Sequence, residues 1–154
     1  MMNNKGFSLV EAMISVTILS FILLVAYGIL TTGNTVYSRD SALLDMQQQV
    51  RNGMDRIVRE VRESSTQTIT VIDANNYKIT FTTPNETNIM YYRSGTNLVR
   101  EYPANTIKIV ASNIAFLKFV LSTKLLNVQL RGDTTVNGGT TISFPLTENV
   151  RLRN

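Results

Sequence analysis

Two residue types are missing from this chain of 154 residues: it has no cysteine and no histidine. Without cysteine there is no disulfide, no lipid attachment to a thiol and no thiolate metal site, so an exported domain must be held by hydrophobic packing alone. Without histidine the commonest general base and the commonest metal ligand are both absent. The chain therefore reads as a non-enzyme with no cofactor and no metal. Beyond residue 63 the only carboxylates are Asp73, Glu86, Glu101, Asp133 and Glu148, and none has the spacing of a calcium loop. A loop expected from Arg131 to Gly139 carries only Asp133 and reads as a plain turn. Charge is scarcest near the start: from Phe7 to Leu30 the one ionised residue is Glu11, and the next is Arg39.

The net charge of +4 is mildly basic and permits attraction to anionic surfaces. The cations are scattered, however, and in their densest stretch, Arg51 to Arg62, acidic residues alternate with them. A nucleic-acid partner is thus allowed by charge and supported by no patch. Setting aside the first thirty or so residues, about 120 remain, enough for one ordinary domain.

The apolar run is long enough to cross a bilayer as a helix, which makes Glu11 its most informative residue. A charged side chain in hydrocarbon costs on the order of 2.5 to 3.5 kcal/mol, so this carboxylate needs a partner. A cut between Gly6 and Phe7 would supply one, an α-amino group four positions before Glu11 and cationic at neutral pH. Residues four apart share a helix face, so the amine can pair with Glu11 of its own chain, or in a staggered bundle with that of a neighbour.

The stretch Gly6-Phe7-Ser8-Leu9-Val10-Glu11, followed by about twenty apolar residues, resembles the N-terminus of type IV pilins and pseudopilins. The resemblance implies that residues 1–6, which include Lys5, are a leader removed after Gly6 by prepilin peptidase. It implies that Phe7 becomes an N-methylphenylalanine, and that Glu11 is the assembly carboxylate neutralising the amine of the adjacent subunit. Its implied partners are other pilin or pseudopilin subunits, the peptidase, inner-membrane assembly machinery and membrane lipid. Its implied place is the cytoplasmic (inner) membrane, crossed once with an extracytoplasmic head, and then a pilus or pseudopilus filament. Major pilins often carry a helix-breaking proline past the membrane segment; this chain has none there. Two other readings compete. An ordinary signal peptide cut near Ala26-Tyr27-Gly28 would release a soluble exported domain, and an uncleaved anchor would leave Glu11 among the headgroups.

Further along, Gly28 and Gly33 interrupt the helical pattern, and Thr31 to Thr35 reads as a soft point. Leu43, Met46, Val50, Met54, Ile57 and Val61, with Val58 beside them, then recur at helical spacing as the stripe of an amphipathic helix. On its opposite face Arg51–Asp55, Asp55–Arg59, Arg56–Glu60 and Arg59–Glu63 are spaced to pair. An unbroken helix from Phe7 to Glu63 would be roughly 85 Å long, a stalk rather than a domain element.

After Ser64 the period shifts to two. Strands are expected at Ile69 to Val71, Tyr77 to Phe81, Ile89 to Arg93, Leu98 to Tyr102, Ile107 to Ala111, Ile114 to Leu121, Leu125 to Arg131, Thr141 to Leu146 and Asn149 to Leu152. Turns are expected at Asp73-Ala74-Asn75-Asn76, Ser94-Gly95-Thr96 and Asn137-Gly138-Gly139. Adjacent Tyr91 and Tyr92 should point to opposite faces. Ser8 and Thr17 are expected to bond carbonyls one turn back.

The expected fold is α+β, a long N-terminal helix packed on antiparallel sheet. Its divisions are a leader (1–6), a transmembrane or filament-core helix (7–30), an amphipathic helix (31–63) and a β-rich head (64–154). The hairpin from Tyr91 to Arg100 and the end Val150 to Asn154 look most like the minor pseudopilins of the J or W type. The function implied is a structural subunit of a type IV pilus-like or type II secretion-like filament. The alternative within that setting is a filament-tip module binding cargo, DNA or surfaces.

Overall fold

The structure, a computed structural model, describes residues 8–64, 68–72, 77–136 and 139–152. Its elements are α1 (Leu9–Glu63), β1 (Thr70–Val71), β2 (Lys78–Phe81), β3 (Ile89–Ser94), β4 (Asn97–Glu101), β5 (Ile107–Ala111), β6 (Ile114–Ser122), β7 (Leu125–Val136) and β8 (Thr140–Arg151). They fall into two compact units, Met1–Arg39 and Asp40–Asn154.

In the first unit the backbone is helical from Leu9 onward, and its large apolar side chains are all exposed. Gly28 and Gly33 do not interrupt the helix as expected; both lie inside α1. One glycine costs a helix about 1 kcal/mol, too little to break a helix of this length.

In the second unit α1 buries Met46, Val50, Met54, Ile57, Val58 and Val61, the stripe read from the sequence except for Leu43, which is only half-buried. Each such side chain contributes roughly 1.5 to 3 kcal/mol when removed from water. On the opposite face only Arg56–Glu60 of the four expected pairs closes, at 3.2 Å. Arg51 instead lies over the Phe144 ring, 5.8 Å from its centroid, and Asp55, Arg59 and Glu63 make no ion pair among the described residues. A solvated pair is worth so little that side-chain entropy opens it.

The strands form two antiparallel sheets, one of five strands in the order β1-β2-β3-β4-β5 and one of three, β6-β7-β8. Register sorts their faces. In the larger sheet Ile79, Tyr91 and Arg100 lie opposite one another on the core side, while Lys78, Tyr92 and Val99 form the row behind. Tyr91 is fully buried and stacks on Phe81, with centroids 6.0 Å apart; Tyr92 turns out beneath the Lys78 ammonium and bonds Glu101. Leu117, Phe119, Leu126, Val128 and Leu130 supply the core face of the smaller sheet.

Two expectations about the last strands are corrected. Thr134 to Val136 and Asp133 belong to β7 rather than to a loop, and Asp133 pairs with Arg131 at 3.1 Å. The two pieces expected from Thr141 to Leu152 are one strand, β8, running through Pro145. Because β8 is an edge strand, the missing proline N–H removes no bond from the interior of the sheet. Gly95 turns the β3–β4 hairpin at φ 60°. The turn expected at Asp73 to Asn76, and Asn137 with Gly138, lie outside the described residues.

Two buried glycines let α1 approach both sheets. A Cβ on Gly53 of α1 would come within 2.9 Å of Leu98, and one on Gly132 of β7 would come within 2.6 Å of Val50. Real Cβ contacts are never so short, so these two positions set the helix-to-sheet distance. At the rim of the same interface Arg100 of β4 reaches α1: its Nε donates to Glu60 at 2.9 Å and a second nitrogen donates to Glu86. Burial alone would lower the Arg100 pKa, but the carboxylates of Glu60 and Glu86 outweigh it and hold the guanidinium protonated.

Candidate functional site at the start of the helix

Of the residues singled out by sequence, Gly6 and Phe7 lie outside the described residues, whereas Glu11 sits in the first turn of α1. Ser8 immediately precedes that turn, and its carbonyl accepts the first helical bond, from the Ala12 N–H at 3.1 Å. Ser8 is therefore the N-cap. Its Oγ accepts the Val10 N–H at 3.2 Å, while its own N–H donates to Glu11 Oε2 at 2.9 Å. Two amide donors that the helix cannot satisfy are thus met, with Glu11 reaching back as in a capping box while the Ser8 hydroxyl takes the second helical amide rather than the third. The carbonyl expected to accept from Ser8, one turn back, lies outside the described residues. The signal was present in the sequence as Ser8-Leu9-Val10-Glu11, the S-x-x-E spacing of that motif.

Glu11 therefore has a local structural role as well as a charge. Oε2 is held by Ser8, Oε1 makes no hydrogen bond among the described residues, and the carboxylate is exposed on a helix whose neighbours are apolar. A negative side chain in the first turn also complements the positive end of the helix dipole.

The hydroxyls farther along are satisfied within the helix. Ser15 donates to the Glu11 carbonyl, Thr17 to that of Met13 and Ser20 to that of Val16, each at 2.8 Å. The Thr17 bond is the one expected. With these groups internally paired, the segment presents an apolar surface, and α1 is long and apolar enough to cross a membrane. No cluster of three metal-ligating side chains occurs among the described residues.

A long N-terminal helix packed on antiparallel sheets is a pilin-like α+β arrangement. Residues 1–27 match the family described as Prokaryotic N-terminal methylation motif, which supports the type IV pilin and pseudopilin family and processing by prepilin peptidase. That family consists of structural, generally non-enzymatic subunits, and the motif with one apolar N-terminal helix fits membrane anchoring and a filament. No curated protein and no solved structure matches the chain.

Proposed function

We propose that this chain is a minor pilin or pseudopilin, a structural subunit of a type IV pilus-like or type II secretion-like filament. Its leader, residues 1–6, is removed after Gly6, and Phe7 is then methylated on its new amine. Residues 7–30 hold the precursor in the cytoplasmic membrane, with the amphipathic half of the helix (31–63) and the β-rich head (64–154) on the far side. The assembly machinery of that membrane then draws the subunit into the filament. The J- or W-type assignment rests on the resemblance of the Tyr91 to Arg100 hairpin.

The observation that carries the reading is a single carboxylate in the first turn of a helix whose next ionised residue is Arg39, with one oxygen free of hydrogen bonds among the described residues. In a dry bundle either that carboxylate or a neighbour's ammonium alone would be costly, and pairing them offsets both costs. Intact mass and N-terminal sequencing of the protein from its native membrane fraction test the pathway. The expected mature chain begins with N-methylated Phe7. A chain starting near Ile29 would mean an ordinary signal peptide, and one retaining Met1 a plain anchor; either result overturns the proposal.

A further inference from the structure

Resting on that reading, we infer that Ser8 is a positioning residue for assembly, holding the Glu11 carboxylate so that one of its oxygens faces an incoming amine.

A carboxylate offers two oxygens and about four acceptor sites, and on a free side chain of three torsions these sweep a wide volume. In this structure the sweep is removed from both ends. The Ser8 N–H fixes Oε2 at 2.9 Å, and the Ser8 Oγ, by accepting the Val10 N–H at 3.2 Å, fixes the Ser8 backbone that presents that N–H. The hydroxyl therefore acts on Glu11 through the main chain. What remains for the neighbour is Oε1, which makes no hydrogen bond among the described residues.

The division of labour has an energetic reason. In an apolar bundle every unsatisfied acceptor of a carboxylate carries a desolvation cost, and a single ammonium from the neighbour cannot cover both oxygens at good geometry. Because the cap already satisfies Oε2, one ammonium completes the shell. Holding the side chain in advance also removes its ordering entropy from the assembly step.

The capping role and the charge role separate by substitution. Glutamine at position 11 keeps an oxygen that can accept the Ser8 N–H, as capping boxes allow, but carries no charge. Alanine at position 8 keeps the charge and removes the acceptor that fixes the cap, whereas threonine keeps that acceptor.

The experiment places Ser8→Ala, Ser8→Thr and Glu11→Gln in the full-length precursor, expressed in its native membrane. Sheared filaments are quantified against the processed membrane pool, so that assembly is counted per processed molecule and any effect on cleavage is divided out. Ser8→Ala is expected to lower the incorporated fraction about fivefold, the equivalent of a lost cap, with Ser8→Thr close to wild type. Glu11→Gln should fall further, by about tenfold or more. Wild-type incorporation by Ser8→Ala, or equal loss in Ser8→Ala and Ser8→Thr, overturns the positioning role while Glu11→Gln still reports on the charge pairing. Wild-type incorporation by Glu11→Gln overturns the charge pairing and this inference with it.

Discussion

Replacing Tyr91 by phenylalanine removes one oxygen from the centre of the head and nothing else. The residue is fully buried, its ring is stacked on Phe81, and its hydroxyl interacts with the Glu60 carboxylate but outside ordinary hydrogen-bond geometry. A buried hydroxyl that makes no hydrogen bond costs about 1 to 3 kcal/mol in protein mutational series, and phenylalanine preserves the stacking. Tyr91→Phe is therefore expected to stabilise the head by about 1 kcal/mol at pH 7, against the usual loss when a bonded tyrosine is truncated.

The pH dependence sharpens the expectation. Burial first, and the negative charge of Glu60 second, push the Tyr91 pKa far above its ordinary value of 10.0. The folded protein then keeps this proton at pH values where the unfolded chain releases it. Stability from this group is complete below pH 10 and falls as pH rises beyond it, by about 1.4 kcal/mol per pH unit until the folded pKa is reached. The phenylalanine variant lacks this slope. Urea unfolding of the detergent-solubilised protein, followed by far-UV circular dichroism at pH 7 and in steps from pH 9.5 to 11, measures both effects. A loss of more than 1 kcal/mol at neutral pH, or parallel alkaline slopes for wild type and variant, would refute the reasoning and require a bonded hydroxyl.

Two further substitutions probe the helix-to-sheet interface by the same unfolding assay. Gly132→Ala places a methyl group where Val50 and Met46 already stand, at 2.6 and 3.0 Å, and should cost about 1 to 3 kcal/mol through overpacking; an unchanged urea midpoint would show that α1 can move aside. Arg100→Met leaves Glu86 without a cation and Glu60 with Arg56 alone, and an expected loss of about 3 kcal/mol, the low end for a broken buried pair, reflects that remaining partner and a Glu86 side chain already one-third open to water. A loss under 1 kcal/mol would mark the cluster as a surface feature.

Much of this architecture was legible from period alone. The helical stripe from Met46 to Val61 and the alternation in Lys78 to Phe81 name their elements because burial on one face imposes 3.6 or 2 on the sequence. Legibility ends where a residue is explained by something distant in the chain. The break expected between Leu146 and Asn149 is a local reading, and continuous pairing with β7 closes it. Gly53 and Gly132 carry no local signal of close approach, since each is fixed by an element far off in sequence. Arg100 reads as an ordinary strand cation, and only folding brings it to Glu60, forty residues away. At the candidate site the Glu11 charge stood out against its apolar surroundings. The Ser8 cap was equally local, as S-x-x-E, but lay at the edge of a run whose dominant signal was hydrophobicity.

Under the proposed role, in which the subunit leaves a bilayer and enters a filament, the internal pairing of Ser15, Thr17 and Ser20 has a kinetic meaning. Each hydroxyl travels with its acceptor, one turn back on the same helix, so extraction breaks none of these bonds and docking has none to remake. Lipid and protein bundle are then interchangeable surroundings for this stretch. The segment can slide from one to the other without breaking these bonds, and among its described side chains the one whose charge registers the passage is the carboxylate of Glu11.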